Sequence, residues 1–139
     1  MRYLIDTCII SELRKPEPFP ALMEWFRSCR PDNLFISSIS IGELYYGISI
    51  LANSKKKNSL LNWFNQVRAE FGDNILSVDH ETVIIWADIR AKAKLYGRSL
   101  PVIDGLLAAT TISNNLILVT RNTEDFQVDG LQILNPWQL

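Results

Sequence analysis

Apolar positions along this chain change rhythm repeatedly, from short unbroken runs to residues spaced three or four apart, the signature of strands alternating with helices. Tyr3 to Ile5 form the first run, and Ile9, Ile10 and Leu13 then follow at helical spacing until Lys15 and Pro16 stop them. Leu22, Met23, Trp25 and Phe26 predict a helix between Pro20 and Arg30, and Leu34 to Ile36 a buried strand ending in Ser37 and Ser38. A helix expected from Ser40 carries Leu44, Tyr45 and Ile48; Lys55, Lys56 and Lys57 are expected to separate it from a second helix with Leu60, Leu61, Trp63, Phe64 and Val67. The pair reads as a helical hairpin beside the sheet. Further on, the pattern predicts a strand over Ile75–Val78, a helix over Thr82–Tyr96 closed by Gly97, a helix over Asp104–Ser113 and a strand over Leu116–Thr120. Leu131 to Leu134, bounded by Gly130 and by Asn135 and Pro136, predicts a terminal edge strand.

Strands alternating with helices imply an α/β fold, a three-layer α/β/α domain around a mostly parallel central sheet. A chain of 139 residues with 47% hydrophobic positions and no repeats suits a single domain over residues 1–139. Its formal net charge of -1 is not the basic balance of a protein that holds nucleic acid by charge alone, so any polyanion must be held by local patches or metal. Cys8 and Cys29 lack paired-cysteine spacing, which argues against a zinc site or a disulfide framework and fits a reducing cytoplasmic home. The opening MRYLIDTCII meets Asp6 before a long apolar run develops, so neither a signal peptide nor a membrane span is expected there.

Ligands of parallel sheets gather at the carboxyl ends of the strands. Asp6 follows the first strand, Glu43 lies just inside the helix after the second, Asp104 opens a late helix, and Asn122 and Asp125 follow the fourth strand. The Asp and Asn residues are also good helix caps, and Ser40 with Glu43 fits a capping box. Caps need no common edge of a sheet, however, whereas metal chemistry needs several oxygens converging on one point. Hard oxygen ligands without a His or Cys cluster point to Mg²⁺ or Mn²⁺, whose chemistry best serves hydrolysis of a phosphodiester by metal-activated water.

The segments YLIDTCIISEL (Tyr3–Leu13), SSISIGELYYGI (Ser37–Ile48), PVIDGLLAATTISNNLILVTRNTEDF (Pro101–Phe126) and the closing NPW (Asn135–Trp137), in this order and spacing, resemble the PIN-domain ribonucleases. The resemblance runs essentially over the whole chain and is strongest to the VapC and FitB type toxins of bacterial toxin-antitoxin pairs. It implies an endoribonuclease in which Asp6, Glu43 and Asp104 match the three acids of the family's Mg²⁺ site, Asp6 and Asp104 as direct ligands and Glu43 directly or through water. The family commonly carries a fourth acid where this chain has Asn122; Asn122 can still hold water, and Asp125 can substitute. Thr7 matches the small hydroxyl beside the first acid, while Thr120 and Arg121 are candidates for placing a phosphate or supporting the acids. Toxins of this resemblance dimerise, are silenced by a cognate antitoxin segment in a groove near the acids, and meet DNA only through the antitoxin.

Other residues compete less well. His80 is the only histidine, has no Ser or Cys nucleophile motif around it, and reads as a surface residue opening a helix. Cys8 reads as a small packed hydrophobe; the basic residues Lys55–Lys57, Arg90, Lys92, Lys94 and Arg98 read mostly as solvated helix faces, with guidance of an RNA backbone as the other reading, and Tyr45, Tyr46, Trp63 and Phe64 mostly as core, with a subunit or partner contact as the other. A receiver-like signalling module would want paired acids near the first strand and a lysine after a late one, and neither occurs. The alternative kept is a catalytically weak PIN-fold binding protein that acts mainly through its antitoxin or a DNA-bound complex, with Asn122 as its best support. Action on DNA would use the same metal chemistry; the small size favours RNA.

Overall fold

A computed structural model describes residues 1–139. Two helices separate each of the first three strands from the next: β1 (Tyr3–Ile5), α1 (Thr7–Leu13), α2 (Pro20–Ser28), β2 (Leu34–Ser37), α3 (Ser38–Ser49), α4 (Lys55–Phe71), β3 (Ile75–Leu76), α5 (His80–Leu95), α6 (Val102–Ser113), β4 (Ile117–Val119) and β5 (Ile133–Leu134). All pairings are parallel, in the order β3-β2-β1-β4-β5. This is the three-layer α/β/α arrangement expected from the pattern, with β3 and β5 as short edges.

The central strand β1 explains why the sheet is covered on both faces. Successive side chains point to opposite faces of a strand. Ile5 packs with Ile9, Leu22, Ile36, Phe64 and Val119 on one face, under α1 to α4, while Leu4 packs with Ile89, Leu107, Ala108 and Leu118 on the other, under α5 and α6. Leu4 and Ile5 are both fully buried, and each such side chain contributes about 1.5–3 kcal/mol.

Several element boundaries differ from the sequence expectation, each for a local reason. Helix α3 begins at Ser38, because Ser37 is the cap, its Oγ accepting from Ile39 N at 3.0 Å. Ser40 therefore lies inside the helix, its buried hydroxyl without a partner, and the Ser40–Glu43 capping box does not form. The lysine run does not separate two helices but makes the first turn of α4, capped by Ser54, and Lys57 Nζ donates to Ser49 O and Leu51 O across the connection. Helix α5 starts at His80 because Asp79 caps it through Thr82 N at 2.8 Å. Strand β3 stops at Leu76 because its only neighbour, β2, ends opposite at Ser37. Of the four aromatics expected in the core, Phe64 is buried and Trp63 half-buried, but Tyr45 and Tyr46 are exposed on α3.

Helix α6 starts at Val102, after Pro101, which puts Asp104 in its first turn. The link 114–116, with Asn115 at φ 54°, turns the chain back into β4. The start of α6 consequently lies toward the carboxyl end of β4. No helix is long and apolar enough to cross a membrane.

Candidate active site

The strand order reverses direction between β1 and β4, the place where open parallel sheets leave a crevice. Asp6 leaves β1 there, with 9% of its surface exposed. Its Oδ1 accepts from Thr7 N at 2.7 Å and its Oδ2 from Thr120 Oγ1 at 2.9 Å, just past β4. Thr120 Oγ1 in turn accepts from Asn122 N at 3.1 Å, so one fully buried hydroxyl ties the two strand ends together. Thr7 Oγ1 donates to Glu43 Oε1 at 3.2 Å, linking the first acid's neighbour to α3.

Asp104 completes the group from the other side of the crevice. Its carboxyl is pushed above the usual range, first by burial and then by the negative charges of Asp125, Asp6 and Glu43. Four acids from α1's cap, α3, α6 and the 3-10 turn Thr123–Asp125 thus share one electrostatic field. Asp125 is the strongest of the charges acting on Asp104. Asn122, beside it, is exposed and its side chain caps nothing.

The competing explanation by capping applies only to Asp6. Glu43 lies past the first turn of α3, and neither α6 nor the turn at Thr123–Asp125 has a side-chain cap bond. Helix capping therefore does not account for Asp104, Glu43 or Asn122 standing where they do.

No three His, Cys, Asp or Glu side chains close to the spacing of a fully protein-ligated metal. The donor chemistry nevertheless fits a hard cation: Mg²⁺ is commonly held by one or two carboxylates with water completing its shell. The one soft group nearby, Cys8, has its Sγ 3.8 Å from Asp6 Oδ2 and from Thr120 Oγ1. Burial pushes its thiol upward, so it stays protonated and is a poor ligand. His80 is exposed at the first residue of α5 and takes no part.

Two pairings near the site were not anticipated from the sequence. Gly105, next to Asp104, faces Trp86 so closely that a Cβ would lie 2.9 Å from Trp86 Cδ1, so the glycine lets α6 settle against α5. Arg121, one residue past Thr120, lays its guanidinium 5.2 Å from the ring centre of Trp137. The signals were present, a glycine directly after the acid and an aromatic in the closing NPW, but neither pairing is visible without the fold. A cleft of about 630 Å³ opens beside Asp104 and Asp125, between α5 and the segment around Gln127.

The PIN domain family matches residues 3–131. Toxin FitB of Neisseria gonorrhoeae is 35% identical over 135 residues, covering 96% of this chain and 97% of FitB. VapC ribonuclease Y4jK of Sinorhizobium fredii is 32% identical over 136 residues, 97% of each. The solved structure of FitAB bound to the IR36 DNA fragment superposes with a TM-score of 0.92 at 33% identity, covering 99% of this chain and 96% of that one. With a match that spans nearly its whole length, the fold to go with it and FitB at 35% identity, this chain belongs to the PIN-domain family.

Proposed function

We propose that this chain is an endoribonuclease, the toxin of a toxin-antitoxin pair, which hydrolyses RNA phosphodiester bonds with Mg²⁺, or Mn²⁺ in its place. The observation that carries the proposal is the shared field at the β1/β4 crevice: Asp125, Asp6 and Glu43 all raise the carboxyl of Asp104. Such mutual repulsion is costly unless a cation relieves it. That relatives are named Toxin FitB and VapC ribonuclease supports the reaction class.

Asp6 and Asp104 would hold the metal, with Glu43 and Asp125 around it, Asp125 rather than Asn122 supplying the fourth acid. Bound there, the cation would polarise the phosphodiester and lower the pKa of a water. The chain's own residues do the rest. Thr120 and Thr7 N fix both oxygens of Asp6, so it presents its remaining lone pairs in one orientation. Glu43, exposed and steadied by Thr7 Oγ1, is free to orient a water and take its proton. Asn122, anchored through its N–H, can hold a second water at the rim.

Two partners follow from the relatives. FitAB is bound to DNA as a complex, and by analogy this chain is silenced by a cognate antitoxin and reaches DNA only through it. Tyr46 in the last turn of α3 and Ile50 at its C-cap are 68% and 66% exposed, an apolar surface that a protein partner, antitoxin or second copy, can cover.

Cleavage of cellular RNA, mapped as new 5′ ends with and without the neighbouring gene product, tests the proposal. Chelation, Asp6→Asn and Asp104→Asn should each abolish it. Normally folded variants that cleave undiminished would sink the mechanism. A wild type that binds its partner but cuts no RNA would favour the binding-protein reading, which the wide spacing of the acids leaves as second.

A further inference from the structure

Arg121 is held from two directions by the end of the chain, its guanidinium by Trp137 and its backbone by Asn135. Trp137 lies under the guanidinium at 5.2 Å, and Asn135 Nδ2 donates to the backbone carbonyl of Arg121 at 3.5 Å. Trp137 is itself fixed: its N–H donates to Asn135 Oδ1 at 3.0 Å, Pro136 before it is buried, and its ring packs on the core beneath α1 and α2. Arg121 has no carboxylate partner within salt-bridge distance, and Glu12, the acid whose carboxyl it helps lower, is already bonded to Lys15 and to Phe19 N. An exposed cation, pre-oriented on an aromatic face and unpaired, therefore stands one residue from the hydroxyl that holds Asp6.

We propose that Arg121, positioned by Trp137, is a subsite for a phosphate of the substrate neighbouring the one at the acids, and that Trp137 is a positioning residue acting through it. The inference rests on the ribonuclease reading. A planar guanidinium fits a phosphate with two parallel bonds, and stacking it beforehand lowers the ordering cost of forming them. The acids alone repel a polyanion, so a fixed cation one residue past the hydroxyl that holds Asp6 supplies attraction that the net charge of -1 does not.

The test reads binding apart from cleavage. In chains carrying Asp104→Asn, the affinity for a fluorescent single-stranded RNA of about a dozen nucleotides is followed against KCl concentration by anisotropy. Arg121→Ala should weaken binding at low salt and flatten the slope of log affinity against log salt by about 0.7, one phosphate contact. Arg121→Lys should keep the slope but lose part of the affinity. Trp137→Leu should weaken binding in the same direction, Trp137→Phe should restore most of it, and Trp137→Leu should add nothing once Arg121 is Ala. In the chain with Asp104 intact, the same substitutions should raise KM more than they lower kcat. An unchanged slope in Arg121→Ala overturns the subsite. A Trp137→Leu effect of the same size with and without Arg121 overturns the positioning role. Loss of cleavage in wild type alongside an intact Arg121 slope would refute the ribonuclease reading and leave the anion site standing.

Discussion

Replacing Thr120 by Val removes one hydroxyl from the centre of the crevice and almost nothing else, because Val keeps the branched shape and opens no cavity. Two bonds are lost. The bond from Oγ1 to the ionised Asp6 is of the kind worth about 1.5–3 kcal/mol, and the bond accepted from Asn122 N about 0.5–1.5 kcal/mol. Together they predict a loss of about 2–4.5 kcal/mol, a large share of the ~5–15 kcal/mol that holds a domain of this size. Equilibrium urea unfolding at pH 7, without divalent metal, measures it. The same substitution in an Asp6→Asn background should cost at least about 1 kcal/mol less, since the carboxylate charge that strengthened the bond is gone. RNA cleavage should fall at least about tenfold, because Asp6 loses the donor that orients it. A cost below about 0.5 kcal/mol, or one equal in both backgrounds, would refute the idea that Thr120 and Asp6 act as one unit.

Three other outcomes follow from the same geometry. Asp104 binds its proton more tightly in the folded chain than in the unfolded one, so its ionisation works against folding: the advantage is complete below the ordinary carboxyl value of 3.8 and is lost as pH rises through the raised one. Asp104→Asn should therefore be more stable than wild type at neutral pH without metal, with the gap closing toward acid pH in thermal melts; a gap that widens toward acid would contradict this. Added Mg²⁺ should raise the Tm of wild type and leave Asp104→Asn nearly unmoved, as expected for a ligand bound only by the native wild-type chain. Gly105→Ala gains about 1 kcal/mol of helix propensity but forces Trp86 aside at a cost of about 1–3 kcal/mol; calorimetry should show a net loss that Trp86→Leu in the same chain largely reverses.

Most of the fold is legible in the chain because the apolar rhythm and the layer architecture agree. The pair Leu4 and Ile5, apolar on both faces, already marks β1 as a central strand. What periodicity misplaces are boundaries set by single hydrogen bonds: Ser37 and Asp79 begin their helices two residues earlier than the apolar positions suggest. Tyr45 and Tyr46 were misplaced because bulk alone does not say which face of a helix meets the sheet. The acids were legible as a set through their common edge, and Asp6 could be tied to the first strand by position. The partnership of Asp6 with Thr120, of Gly105 with Trp86 and of Arg121 with Trp137 could not be, since each joins segments whose proximity only the completed sheet creates.

The bond from Thr120 to Asp6 spans 114 residues of chain, and β1 finds its β4 neighbour over the same distance. At about 5–20 residues per second of synthesis, on the order of ten seconds pass between the making of Asp6 and of Thr120. Throughout that time the growing polypeptide carries its first acid without the strand that frames it. If the chain cleaves RNA as proposed, its site is thereby completed only after Thr120 has been made, and a fragment that stops before β4 lacks the hydroxyl that holds Asp6. The topology acts as a delay between the making of the first acid and the docking of β4, an interval in which the proposed antitoxin can arrive.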